Sequence, residues 1–411
     1  MTEFFTLVSP NQALQTLIDQ LNGPLKSETI PSAEALNRTL SANITSPSDL
    51  PAFPRSTMDG YAVRAADTYG ATPNMPAYLS LAGEIHMGTE PSFNLEAAQA
   101  ALIHTGGMLP ENADAVIMIE NTQTSRKDEI EIFNAVSVGE NILNVGEDVT
   151  KDSEVIPNGS TLRPQDIGAL MALGITSVHV TASPTVGLIS TGDEVVHPDS
   201  NITTGQVRDI NSYSLSALVQ SAGGIPKRYG IIKDDLPTVQ EAAEIGSEEC
   251  DILVIAAGSS VSARDITSDV INNLGDPGVL VHGIALKPGK PTILAVAKNK
   301  PIFGLPGNPV SAMVVARLLL VPTIKFLSGA ILDIQVSTVI TAQLTHIIPS
   351  IAGREDHVPV LIKTTEGKTF AEPVFGKSNL IFTLVRSTGS VIVPINSNGF
   401  IQGSKVQVHL Y

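Results

Sequence analysis

The sequence predicts a multidomain protein of α/β and β class. It should hold a three-layer α/β domain with a mostly parallel sheet, a β-rich lobe, and a small C-terminal all-β barrel-like domain. Three observations carry that reading. Strand-like apolar runs alternate with helical ones across 183–330, residues 61 to about 160 break into short β-like runs, and 331–411 shows no good helix. At 411 residues the chain is also too long for one ordinary core. The expected divisions are 1–50 with 141–182 as an N-terminal helical and linker domain, 51–140 as the lobe, 183–330 as the α/β domain, and 331–411 as the C-terminal β domain.

Element by element, Asn11 to Leu21 has apolar positions at helical spacing, and Ser32 is placed to cap a helix from Ala33 to Leu40. Residues 46–60 form a Pro-rich loop (Pro47, Pro51, Pro54). Ala100 to His104, Ala115 to Glu120 and Glu129 to Phe133 read as strands, and turns such as Thr105-Gly106-Gly107 separate them. Arg163 to Leu173 reads as a helix with Pro164 in its first turn. The α/β alternation then begins with the strand Thr185 to Thr191, the helix Asn211 to Ser221 and a strand through Tyr229 to Ile232. It continues with the helix Leu236 to Glu249, the strand Asp251 to Ala256, a helix at about 264–274 and strands near 280–286, 292–297 and 300–304. Asn308-Pro309 opens a long helix to about 327, Asn as N-cap and Pro as first helical residue. In the tail, Val, Ile and Thr alternate with polar residues between turns at Glu366-Gly367 and Asn398-Gly399.

Net charge is −16, from 41 acidic and 25 basic residues. That field disfavours nucleic acid and anionic membranes, which need clustered Lys and Arg. Cys250 is the only cysteine, so no intramolecular disulfide is possible and a reducing, cytoplasmic setting is expected. Met1 to Leu25 lacks Lys, Arg and a continuous apolar core, which argues against a signal peptide. The most apolar helical stretch, Val310 to Ile324, is interrupted by Arg317 and Pro322 and reads as too short to span a bilayer.

Ligands of an open parallel sheet bind beyond the carboxyl ends of its strands, so the loops there are the candidates. They are Ser190-Thr191-Gly192-Asp193-Glu194; Gly258-Ser259-Ser260 with Arg264-Asp265 beyond; Lys287-Pro288-Gly289-Lys290-Pro291; and Gly304-Leu305-Pro306-Gly307-Asn308-Pro309. Gly258 and the serines offer N–H groups and hydroxyls to an anion. Lys287 and Lys290 supply positive charge, and Asp193, Glu194, Asp234, Asp235 and Asp265 supply oxygen donors for a hard cation such as Mg²⁺. Each motif has a plainer reading: Gly-Asp-Glu as a capped turn, Lys-Pro-Gly-Lys-Pro as an exposed loop, Asn308 and Asp234-Asp235 as helix starts. Taken together they describe a phosphate-like anion handled with a metal.

Other chemistries find no support. No Gly-x-Gly, His-Glu-x-x-His or Gly-x-Ser-x-Gly occurs. Gly367-Lys368-Thr369 and Gly376-Lys377-Ser378 echo the end of a P-loop, but the required upstream Gly is Ile362 and Ala371 respectively. His104 and His282 read as structural.

In order along the chain, Pro51-Ala-Phe-Pro-Arg-Ser-Thr-Met-Asp-Gly-Tyr-Ala62, Thr105-Gly106, Gly146-Glu147-Asp148, Ser190-Thr-Gly-Asp-Glu194, Lys287-Pro-Gly-Lys-Pro291, Gly304-Leu-Pro-Gly-Asn-Pro-Val-Ser311, Gly353-Arg354 and Ser378 resemble the MoeA/gephyrin family of molybdopterin molybdenumtransferases. The resemblance implies an elongated four-domain homodimer whose lobe reaches the partner's α/β domain. It implies insertion of molybdate, or tungstate, into adenylated molybdopterin, with Mg²⁺ and release of AMP.

Asp59, Thr105, Glu194, Asp235, Asp265, Lys287 and Lys290 would be catalytic, with Glu194, Asp235 and Asp265 on the metal. Thr191, Gly192, Asp193, Gly258, Ser259, Ser260, Pro306, Asn308 and Ser378 would bind the cofactor. Contact with a molybdopterin adenylyltransferase is a further expected partnership. The alternatives are that adenylyltransferase activity itself, whose Gly-Gly-Thr-Gly loop is missing, or a non-catalytic cofactor-binding scaffold. The chain departs from the family pattern at Ala257-Gly258-Ser259-Ser260, at Arg264-Asp265-Ile266, at His104 and at His357.

Overall fold

A computed structural model describes residues 7–257, 261–331 and 338–411, with backbone alone over 261–265. The expected ligands Gly258, Ser259 and Ser260, and the Asp265 side chain, lie outside the described residues. The chain forms two compact units: 42–158 with 164–176, and the remainder.

The smaller unit is built on a six-stranded sheet in the order Ala115–Met118, Gly60–Val63, Gln99–Ile103, Ala77–Ile85, Glu129–Ile132 and Thr122–Arg126. Only Ala77–Ile85 and Gln99–Ile103 run parallel. Period-two alternation buries Tyr61, Val63 and Ile117 on one face and Ala62, Val116 and Ile103 on the other. Gly60 is required where Gly60–Val63 runs between two partners, because a Cβ there would stand 1.9 Å from the Ile117 carbonyl oxygen. The expected helix Pro164–Ala172 belongs to this unit.

In the larger unit a second six-stranded sheet runs Ile225–Ile232, Thr185–Thr191, Ile252–Ala257, Lys300–Pro306, Ile293–Ala297, Pro277–His282. All its strands are parallel except Ile293–Ala297, which is antiparallel to both neighbours. The fully buried Ile252–Ala257 sends Ile252, Val254 and Ala256 to one core and Leu253, Ile255 and Ala257 to the other. Helices Pro10–Ile18, Asn211–Ser221 and Pro309–Leu327 cover the first face, and Leu236–Glu249 and Val261–Leu274 the second. Burying each such Leu, Ile or Val contributes about 1.5–3 kcal/mol, so the three-layer domain is held from both sides.

The C-terminal strands close on themselves. Glu355–Thr365 pairs with Lys368–Pro373 and with Gly389–Val393; Val339–Leu344 and Lys405–Leu410 complete a five-stranded barrel. Closure removes sheet edges. Its hairpin turns through Glu366 and Gly367, both in the left-handed region (φ 50° and 73°), the backbone that a two-residue hairpin loop requires. Outside the barrel, Leu286–Lys287 adds in parallel to Glu355–Asp356, tying an α/β loop to the tail.

Several expectations need correction. Ala33 to Leu40 is not a helix. A single 3-10 turn, Ser32–Glu34, ends before Asn37 at φ 63°, and Thr39 and Leu40 then bridge to Thr161 and Val180. The strand expected near 280–286 is Pro277–His282, and among the described residues of the tail Phe382–Val385 forms a helical turn. Asn308 does precede the helix, but its side chain makes no capping bond. That helix, Pro309–Leu327, has 19 residues and a mean hydropathy of 1.8, enough by length and composition to cross a membrane. It runs on through a π-helical segment, Ala316–Leu320, so Arg317 and Pro322 do not end it; its apolar surface is spent on the core, with 61 % of the window buried.

Candidate active site

In the lobe, Gly60–Val63 and Gln99–Ile103 are antiparallel with Gly60 opposite Ile103, so the start of one strand meets the end of the other. Asp59 and Thr105 flank that junction. The Thr105 backbone N–H and hydroxyl both donate to Asp59 Oδ1, at 2.7 and 2.9 Å. These two bonds, the backbone one foremost, hold the Asp59 carboxyl below its ordinary range. Next to them His104 Nε2 lies 2.9 Å from Glu84 Oε1, since parallel pairing aligns Ile85 with Ile103.

On the larger sheet, the ends Thr191, Ile232, Ala257, Pro306 and His282 share one rim by register. Its acidic end gathers around Asp234. Thr191 Oγ1 donates to Asp234 Oδ1 at 3.3 Å, and the Asp234 N–H donates to Asp193 Oδ1 at 3.4 Å. Burial raises the Asp234 carboxyl, and the negative charges of Asp193, Glu194 and Asp235 raise it further against the Thr191 bond. Asp235 is the N-cap of Leu236–Glu249; its Oδ1 accepts from the Thr238 hydroxyl at 2.7 Å and N–H at 3.0 Å, which lowers its carboxyl. Among the described residues, no three His, Cys, Asp or Glu side chains stand together as a metal-holding group.

The basic end is a cavity of about 730 Å³ between the α/β domain and the barrel. Lys287 to Pro291, Pro306, Asn308 and Ser311 line one side, and Arg354, His357 and Phe375 to Asn379 the other. Asp356, with a side chain only 2 % exposed, accepts from Lys287 Nζ at 3.2 Å and Arg354 Nε at 2.9 Å. Lys290 and Lys377 line the cavity with Asn308 and Ser311 at the start of Pro309–Leu327, where the helix macrodipole also favours an anion. The Val310 N–H donates to the Ser378 carbonyl at 3.0 Å, which seats the tail loop on that helix start.

The fold thus sorts the expected residues into three places. Asp59 and Thr105 pair in the lobe; Thr191, Gly192, Asp193, Glu194 and Asp235 sit at the acidic end; Lys287, Lys290, Pro306, Asn308 and Ser378 ring the cavity. Sequence reading gave Asp234 only a shared place among the oxygen donors, and assigned no role to Arg354, Asp356, His357 or Lys377. Gly353-Arg354 and Gly376-Lys377-Ser378 were visible signals, two basic motifs in a tail with no other chemistry.

Residues 8–174 match the family described as "MoeA N-terminal region (domain I and II)", 187–325 the "Probable molybdopterin binding domain", and 341–411 the "MoeA C-terminal region (domain IV)". The chain belongs to the MoeA family. It is 32 % identical over 389 residues to the molybdopterin molybdenumtransferase of Bacillus subtilis, covering 94 % of this chain and 90 % of that one. It is 33 % identical over 323 residues to the molybdopterin molybdenumtransferase of Haemophilus influenzae, covering 79 % and 78 %. A solved structure of a molybdopterin biosynthesis MoeA protein from Pyrococcus horikoshii OT3 superposes with a TM-score of 0.85 at 31 % identity, covering 99 % of this chain and 100 % of that one. The MoeA matches span all three places where the fold collects charge.

Proposed function

We propose that this protein is a molybdopterin molybdenumtransferase of molybdenum cofactor biosynthesis, inserting molybdate into the dithiolene of adenylated molybdopterin. One observation carries the proposal: a cavity ringed by Lys287, Lys290, Arg354, Lys377 and Ser378 in a protein of net charge −16. Cations so concentrated suit a small dianion. Asp356 already offsets Lys287 and Arg354, which leaves the attraction to Lys290, Lys377 and the helix start.

The acidic end would serve the adenylate. Its donors are hard oxygens, but among the described residues no three of them stand together as a metal-holding group, so an Mg²⁺ site there rests on the resemblance. On that resemblance Glu194, Asp235 and Asp265 would hold the ion. Bound there, Mg²⁺ supplies Lewis-acid neutralisation of the phosphoanhydride as AMP departs. Thr191 orients Asp234, and the Asp235–Thr238 cap fixes the loop.

The proposal extends to a cytoplasmic homodimer in which the Asp59–Thr105 pair serves the partner's rim, and to contact with the adenylyltransferase that would supply the substrate. Purified protein, adenylated molybdopterin and Mg²⁺, with molybdate and tungstate in parallel, test the reaction. AMP release that depends on the oxyanion and yields cofactor is expected; tight binding without AMP release would sink the transferase in favour of a carrier. Mixing Asp59→Asn with Lys290→Ala subunits tests the shared site. Recovery of part of the activity absent from either variant alone is expected, and no recovery would sink the cross-subunit arrangement.

A further inference from the structure

Resting on the reading that Asp59 serves the reaction, we propose that Glu84 and His104 are its positioning pair. Glu84 anchors the His104 ring, and His104 opens the turn whose Thr105 holds the Asp59 carboxylate. That turn is His104-Thr105-Gly106-Gly107, closed where the Gly107 N–H donates to the His104 carbonyl at 2.8 Å. Gly106, at φ 85°, takes the third position, which a left-handed residue fills in such a turn. The Thr105 N–H has no part in closing the turn and goes to Asp59 Oδ1 instead.

The turn is held from two sides. Backbone fixes the glycine side: the Gly106 N–H donates to the Ser56 carbonyl at 2.8 Å, and the Ser56 N–H to the Gly107 carbonyl at 2.9 Å. Side chains fix the His104 side. Glu84 pairs with Leu102 across the parallel strands, and His104, two residues on, falls on the same face. Glu84 Oε1 meets His104 Nε2 at 2.9 Å. The His104 bond foremost, the Glu84 carboxyl sits below its ordinary range, so near neutrality it is an ionised acceptor and Nε2 is the donor. The other charged groups here are His86, its Nδ1 4.0 Å from the same oxygen, and Asp59 itself.

Both side chains are 44 % exposed, and an exposed pair of this kind adds little to stability. Its consequence is positional. The two glycines are the most conformationally free residues of the turn, so the end that a side chain can fix is His104, directly before Thr105. A carboxylate displaced by about an ångström from its working position can cost on the order of 10²-fold in rate. Anchoring is separable from charge. Any neutral residue in place of Glu84 removes the same negative charge, but only one that keeps an oxygen in reach leaves an acceptor for the Nε2–H.

The experiment uses the full chain, labelled with ¹⁵N-threonine, as the parent and as Glu84→Ala, Glu84→Gln and His104→Met. Each is measured for hydrogen exchange of the Thr105 amide at pH 7 and for metal insertion. Glu84→Ala and His104→Met should exchange that amide several-fold faster, and should lose about tenfold in kcat with KM within about twofold of the parent. Glu84→Gln should bring both readouts back close to the parent, because its amide oxygen still accepts from His104. If Glu84→Gln instead behaves like Glu84→Ala, charge alone is at work and the positioning role is overturned. Parent-like exchange and kcat in both Glu84→Ala and His104→Met overturn it as well. Asp59→Asn separates this inference from the reading beneath it. Full insertion activity in that variant overturns the role of Asp59, whereas loss of activity there with parent-like Glu84→Ala and His104→Met overturns the positioning pair alone.

Discussion

The two ends of the α/β rim are built from the same backbone geometry and opposite chemistry. At the Thr191 and Ile232 end, carboxylates crowd one another and Asp234 is raised by burial and by its neighbours. At the His282 and Pro306 end, lysines and Arg354 crowd instead, and one buried carboxylate, Asp356, offsets two of them. At the acidic end Lys233 acts on Asp235, with no such cation acting on Asp234; at the basic end Asp356 offsets part of the positive charge. A site left in like-charge repulsion is poised for an ion of opposite sign, and a half-neutralised one for a weaker, exchangeable ligand. That suits a resident cation at one end and an incoming oxyanion at the other.

The comparison breaks most readily at the basic end. Lys290→Ala with Lys377→Ala should weaken molybdate or tungstate binding by roughly 10²-fold, because these two cations lack the Asp356 counter-charge. Equilibrium dialysis reads it, and unchanged affinity would show that the cavity does not hold the oxyanion. Asp356→Asn should act in the opposite direction on binding. Oxyanion affinity should rise severalfold while the fold loses about 1–3 kcal/mol, discounted because Lys287 and Arg354 are partly exposed. Denaturant melts and the same dialysis check both signs.

Asp234→Asn tests the acidic end. A carboxyl raised by folding holds its proton more tightly in the folded chain than in the unfolded one. Its contribution is therefore present at low pH and lost as pH rises from the ordinary Asp value through the raised one. Without divalent cations the variant should melt roughly 2 °C higher than the parent at pH 7, and added Mg²⁺ should stabilise the parent more than the variant. Equal Mg²⁺ stabilisation of both would remove Asp234 from the cation site.

The smallest effect belongs to the lobe. Asp59 is lowered by folding, so its contribution is present above the ordinary Asp range and lost as pH falls through the lowered value. Thr105→Val removes the hydroxyl bond and keeps the backbone one, so Asp59 should titrate closer to an ordinary Asp by carboxyl NMR. No upward movement would mean that the Thr105 hydroxyl does not hold Asp59.

What the sequence determined by itself is local. Period-two alternation marked the strands, continuous apolar runs marked Thr185–Thr191 and Ile252–Ala257, and Asp235 before Leu236-Pro237 marked a helix start that its Thr238 bonds bear out. Local signals also misled. A capping serine and apolar spacing at 32–40 were overridden by bridges to Thr161 and Val180, because partners far along the chain outweigh weak helix propensity. The barrel's closure, the docking of Leu286–Lys287 on Glu355–Asp356, and the meeting of Lys287 with Asp356 across 69 residues were decided only in three dimensions. Charge neutralisation depends on distance through space, and nothing in the spacing of Lys287 or Gly353-Arg354 along the chain could give it. The residue types were written in the sequence; which of them neutralise each other, and which stay charged for a ligand, was settled by the packing of barrel against sheet.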